Sequence, residues 1–489
     1  MLRKKILTVF IFFLLSLLSV YLRIQYYNDG LWSDEWIGYF FSNTQVPLKV
    51  NFFNWLKFEG APTFNLFIYS IWSYLFGHFY QSIEIGSLAF GILLPFLSFY
   101  FFSKNIKKNF FLYFLFITNP FLIYYSGEIR FYSSSAFFSF ISIIFFLKLI
   151  KKEDLINSIL FIIFLFISVS INTFAISTII SFFIFIIFKK KYYLIKYLFI
   201  AALLFIVLNY YYLINISSIY KLAQGTSSLN LKFFFGFYFN IFFANKFLGG
   251  LCLVIVLFFF LSIRKKLLDE KFEKLLLFYI IIFFGFLIPI IYALVKDPIF
   301  FPRHFIYLVP IILLIISEFI YSLQHKLIKK FLSYFIIFYL IVVNFSSSKP
   351  YILNKPNPNK IINHLEKSSV KNIFSGDFIF NNNQNIIDIS KNIYFQNKDY
   401  KFSISDITSF YAYTSYIHSR EFNSSDYNFI NRNEAFNTNM FWSICLDLSI
   451  INNLQPDIDK CKKNEFTQTH NIKSIVIIDN FFLKLYFKK

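Results

Sequence analysis

The chain has 489 residues, of which 57% are apolar and only 15% charged. A water-soluble protein of this length cannot hide that much apolar surface, so the bilayer must solvate most of it. The net charge of +21 would suit a nucleic-acid partner, but its placement excludes one. The basic residues fall in short clusters between apolar runs: Lys104, Lys107 and Lys108; Lys151 and Lys152; Lys189 to Lys191; Arg264 to Lys266; Lys329 and Lys330. That is the positive-inside pattern of a polytopic membrane protein, with membrane lipid as its surroundings.

The first apolar run, Ile6 to Val20, is too long and lacks the small-residue site of a cleaved signal peptide, so it reads as a signal anchor. The hydropathy predicts about eleven spanning helices: 5–24, 83–103, 109–126, 133–149, 156–171, 173–188, 192–215, 247–263, 275–295, 305–322 and 331–347. The stretch 156–188 is too long for one span and has lysines at both ends, which predicts a hairpin turning near Asn172. The segment 62–76 is short for a span. Counting basic residues on each side favours placing it as a juxtamembrane helix within a first outer loop over 25–82.

Beyond Ser348 the long apolar runs stop, and Pro350, Pro356 and Pro358 mark a linker. The expectation is a membrane domain over 1–347 and a small extracytoplasmic α/β domain over 348–489, with strands at Val370 to Phe374 and Ser474 to Ile478. Cys445 and Cys461 lie in this tail, where a disulfide and two free thiols are equally open. No metal-ligand spacing is present, so no metal is assigned.

With this topology the outer face collects Asp34 and Glu35 in the first loop, Glu128 and Arg130 in a short loop at 126–132, and Arg303 and His304 in a loop at 296–304. A carboxylate can take the proton of an attacking hydroxyl, and arginine can grip a phosphate with forked donors. Each of these charges also reads as an ordinary solvated loop residue, and Glu128 with Arg130 as a structural ion pair. Trp32 and Trp36 flank the carboxylates and read either as sugar-stacking rings or as interfacial anchors. Glu318, inside a predicted span, reads either as a buried functional carboxylate or, in the favoured reading, as one near the inner end that reaches water.

Four segments stand in a telling order: Leu31-Trp32-Ser33-Asp34-Glu35-Trp36; Ala61-Pro62-Thr63 running to Leu75-Phe76-Gly77; Tyr125-Ser126-Gly127-Glu128-Ile129-Arg130-Phe131-Tyr132-Ser133; and Phe301-Pro302-Arg303-His304-Phe305. Together, over residues 1–310, they resemble the motifs of GT-C glycosyltransferases of the family-39 type. That group includes the protein O-mannosyltransferases, the aminoarabinose transferases and bacterial relatives with an Rgt-like domain. The chain departs from that pattern at Thr63, Glu84, Gly127 and Asn172, where the family more often has Pro, Arg, Gln and His.

The resemblance implies an all-α GT-C membrane enzyme of the bacterial inner membrane, working at the outer face. It would move a sugar from a polyprenyl-phosphate donor to a glycan, lipid or protein acceptor, with inversion. Asp34 would be the general base. Glu35 would orient the loop or, in a metal-using variant, help to hold a divalent cation. Arg303 would hold the donor phosphate and Arg130 would assist it. Glu128, Tyr132, His304 and Trp32 would support the site. The alternatives are a lipid-linked glycan polymerase, ligase or flippase, against which the early Asp-Glu pair argues, and a solute transporter, against which the absence of internal symmetry argues.

Overall fold

The computed structural model describes residues 2–25, 62–77, 80–214, 236–295 and 302–345, and in the remainder 42, 47–49, 52, 55, 364, 367, 372–374, 401–404, 429–431, 440–446, 470–478 and 481–488. The chain divides into two compact units, one of residues 1–27, 56–77 and 81–353, the other of 28–55, 78–80 and 354–489.

The first unit is helical. Its helices are α1 (Leu2–Ile24), α2 (Phe64–Phe76), α3 (Tyr80–Leu97), α4 (Ile106–Thr118), α5 (Pro120–Ser126), α6 (Tyr132–Lys151), α7 (Leu155–Ile171), α8 (Ile176–Lys189), α9 (Ile195–Leu208), α10 (Gly236–Phe242), α11 (Lys246–Ile263), α12 (Glu273–Val295), α13 (Val309–Ser322) and α14 (Lys326–Phe345). Short 3₁₀ turns cover Thr173–Ala175 and Pro302–Leu308. Among the described residues seven helical stretches are long and apolar enough to cross a membrane, and the apolar stretches 64–76, 155–171, 173–189 and 192–208 are shorter.

The expected hairpin turns at Asn172, which ends α7 and whose side chain accepts from Phe174 N at 3.1 Å. The helix expected over 109–126 is instead two helices. Pro120 has no N–H for the carbonyl of Phe116, and its ring clashes there. Asn119 caps the new start by accepting from Leu122 N at 3.0 Å. The break frees three carbonyls, and two distant side chains serve them. Arg23 donates to Phe116 O at 3.3 Å and Ile117 O at 3.2 Å, and Asn344 Nδ2 donates to Thr118 O at 2.7 Å. The end of α4 is thus tied to α1 and α14.

Helix α14 starts at Lys326, before the expected Phe331, because Lys329 and Lys330 extend from its first turns. Within the span expected over 192–215, helix α9 ends at Leu208, and after a turn at Asn209 the chain is helical again over 210–214.

The core is aromatic and hydroxyl-lined. Phe146 stacks on Phe182 with centroids 4.1 Å apart. Helix α6 turns Ser133, Ser134, Ser135, Ser139 and Ser142 inward, all buried. Small residues let helices approach closely where no hydrophobic effect drives them together. Here α6 and α7 meet with a Ser139–Ser168 hydrogen bond of 2.6 Å. Gly91 on α3 is a second close approach, since an added Cβ would collide with Ser126 on α5.

The second unit carries a six-stranded mixed sheet of β1 (Asn372–Phe374), β2 (Lys401–Ile404), β3 (Phe429–Asn431), β4 (Met440–Leu446), β5 (His470–Ile478) and β6 (Phe481–Lys488), in the order β3-β2-β1-β4-β6-β5. The pairs β2–β3, β1–β2 and β1–β4 are parallel, and β4–β6 and β5–β6 are antiparallel. β1 and β5 fall where strands are expected.

Candidate active site

The first turn of α6 and the 3₁₀ turn Pro302–Leu308 come together in the helical unit. The link is a stack of three rings. His304 lies between Phe131, 5.8 Å away at 20°, and Phe174, 5.1 Å away at 27°. Tyr132 meets the same imidazole edge-on at 6.2 Å. Such ring pairs add about 0.5–1.5 kcal/mol each beyond the area they bury.

The stack carries both arginines of the two motifs. The Arg130 guanidinium lies over Phe131 at 5.6 Å, and that of Arg303 over Tyr132 at 5.7 Å. Both are electrostatic neighbours of His304. Arg130, Glu128 and Tyr132 are buried. The planar forked donor set of a guanidinium suits a phosphate.

The supports are specific. Asn172 Nδ2 donates to His304 O and to Ser135 Oγ, both at 3.0 Å, and so fixes the 302–308 turn to α6. Ser133 Oγ donates to Ser87 O at 2.8 Å, and Ser87 Oγ reaches Arg130 O at 3.4 Å, which ties the 126–132 turn to α3. The Arg130 N–H bonds to Glu128 O at 2.7 Å, closing the turn on itself. Tyr307 OH shares a 2.7 Å hydrogen bond with Ser177 Oγ and holds the far end of the 3₁₀ segment.

Of the residues singled out in the sequence, Glu128, Arg130, Tyr132, Arg303 and His304 are therefore brought together. Asp34, Glu35 and Trp32 lie outside the described residues. Among the described residues no group of three His, Cys, Asp or Glu side chains could hold a metal ion. The sequence reading did not assign Ser87, Phe131, Phe174 or Ser135 to the site. Phe131 lies within the Glu-x-Arg-x-Tyr-Ser motif, and Phe174 follows the hairpin turn at Asn172, so both were in reach of the sequence. Glu318 pairs with Lys108 at 2.7 Å and Lys274 at 3.1 Å, with its side chain 21% exposed.

No protein-family profile and no curated protein matches the sequence. Solved structures do match the fold. ArnT from Cupriavidus metallidurans, in a crystal structure with undecaprenyl phosphate bound, aligns with a TM-score of 0.53 over 99% of this chain and 98% of its own, at 8% identity.

The chain has the fold of ArnT.

The apo state of ArnT gives the same TM-score over the same shares, at 7% identity. The membrane-helical architecture expected from the four motifs is the one found. The oligosaccharyltransferase AglB from Archaeoglobus fulgidus, solved with an inhibitory peptide and a dolichol-phosphate, aligns over 92% of this chain and 70% of its own, with 12% identity. Its TM-score of 0.48 is too low to add weight. At these identities the likeness to ArnT is one of fold, and chemistry has to be argued from the site.

Proposed function

We propose that this protein is a membrane glycosyltransferase that takes a sugar from a polyprenyl-phosphate donor. The observation that carries the reading is the union of Arg130 and Arg303. They come from two motifs far apart in the chain and meet on one ring stack, in a fold whose ArnT counterpart was solved with undecaprenyl phosphate. The two guanidinium groups hold the donor phosphate and stabilise the charge it gains as it leaves.

Asp34 acts as the general base. Its carboxylate removes the acceptor hydroxyl proton while that oxygen attacks the anomeric carbon. The bond from anomeric carbon to phosphate oxygen breaks, its electron pair stays on the phosphate, and the sugar inverts. No covalent enzyme intermediate forms, so no Ser or Cys nucleophile is required. Glu35 orients the loop that carries Asp34. The acceptor is a glycan, lipid or protein of the cell envelope, and the site faces away from the cytoplasm.

The test is transfer by wild type and Asp34→Asn, purified into nanodiscs with radiolabelled polyprenyl-phosphate sugars and membrane extract. Label should leave the lipid fraction with wild type, and Asp34→Asn should lose about 10²-fold or more of that rate. Equal rates would remove Asp34 from the mechanism. Glycan processing without consumption of any carrier-linked sugar would favour a ligase or flippase instead.

A further inference from the structure

A cavity of about 410 Å³, lined by both charged and apolar side chains, lies within the helical unit at the end of α6 away from Arg130. The helix sets the separation. Tyr132 starts it beside Arg130, and Lys151 ends it on the cavity wall; its 20 residues at 1.5 Å each span about 30 Å. The cavity is therefore distinct from the arginine site.

Its charge is unbalanced. Glu318 accepts from both Lys108 and Lys274, at 2.7 and 3.1 Å. Neutralising one carboxylate needs one lysine, and this one has two. Glu273, also on the wall, is held at 2.8 Å by Lys191, which is not part of the lining. Lys151 and Lys271 complete the basic wall, and among the described residues neither has a carboxylate within ion-pair distance. Lys151 rests 6.0 Å from the Tyr100 ring centroid. With Glu273 taken by Lys191, four lysines face only Glu270 and Glu318.

The lining also includes the apolar side chains of Phe101, Phe102, Leu147 and Ile150, and the Lys274 ammonium lies 5.7 Å from the Phe101 ring centroid. Lysines interleaved with apolar side chains, between helices and at the end of a membrane bundle, suit a phosphate whose acyl chains run down the helix flanks. A soluble anion would gain nothing from those apolar side chains.

We infer that this cavity binds the headgroup of an anionic phospholipid drawn from the leaflet at the lysine-rich end. The lipid phosphate sits among Lys151, Lys271 and the Lys108–Glu318–Lys274 triad. Its glycerol and first methylenes lie against Phe102 and Ile150.

The full-length protein, purified in detergent, is titrated with phosphatidylglycerol or phosphatidylcholine and bound lipid is counted by native mass spectrometry. Wild type should retain phosphatidylglycerol in preference. Lys151→Gln with Lys271→Gln should weaken that binding about tenfold or more while the thermal midpoint stays put. Lys271→Gln alone should give an intermediate loss, which keeps the test readable if the double variant folds poorly. Equal retention of the two lipids, or equal binding by wild type and both variants, overturns the inference. Displacement of phosphatidylglycerol by an equal concentration of glycerol 3-phosphate would also overturn it, by assigning the cavity to a soluble phosphate.

Discussion

Arg23 is wholly buried in an apolar helix, and among the described residues its guanidinium donates to Ser19 and to the carbonyls of Phe116 and Ile117. Those carbonyls carry the negative end of the α4 dipole, which replaces a carboxylate as counter-charge. Arg23→Met should therefore cost about 1–3 kcal/mol by orphaning them, read as a lower unfolding midpoint in detergent. Arg23→Lys should recover only part of this, because an ammonium cannot fork to two carbonyls in a fixed plane. A midpoint unchanged in Arg23→Met would refute this role. His304 invites a different experiment. In the proposed enzyme it positions two arginines and moves no proton. His304→Phe should keep the stack and most of the transfer rate, and His304→Ala should raise the donor KM by about tenfold through loss of ring contacts worth about 1–3 kcal/mol together. Loss of activity in both variants would give the imidazole a chemical part. Arg130, Arg303 and His304 were legible because their neighbours form motifs. Arg23 was not, since a lone basic residue near the end of a first span reads as a flanking charge.

Most helices could be read directly from runs of apolar residues, because nothing else solvates twenty such side chains in a row. The break at Asn119-Pro120 was missed, although the dipeptide is a strong turn signal. Phe, Leu and Ile continue on both sides of it, so the hydropathy never falls. A break of this kind survives in apolar surroundings only if the freed carbonyls find donors, and these came from α1 and α14, which no local pattern reveals. The same break aims α5 at α3, where Gly91 leaves room for Ser126. Gly91→Ala should lower stability by about 1–3 kcal/mol, because the collision is with a side chain at its root and α3 or α5 must shift. Thermal unfolding measures this, and an unchanged midpoint would mean that the two helices yield without cost. The turn at Asn172, by contrast, was readable from lysines at both ends of a run too long for one span.

At the scale of the molecule, the helical unit has unlike ends. One presents the arginine pair on its ring stack, and the other collects Lys108, Lys151, Lys271 and Lys274 around Glu318. The lysine clusters made this polarity legible. In the second unit only β1 and β5 were foreseen; β2 and β3 are short parallel strands that pair across long connections and leave little local periodicity. The proposed function requires the arginine pair to hold the phosphate of a polyprenyl carrier. Equilibrium binding of a polyprenyl phosphate to wild type, Arg303→Gln and Arg130→Gln in nanodiscs tests this most directly. Arg303→Gln should bind about tenfold or more weaker, as befits loss of a charge-assisted hydrogen bond worth about 1.5–3 kcal/mol, with Arg130→Gln losing less. Binding that is the same in all three proteins would contradict the account.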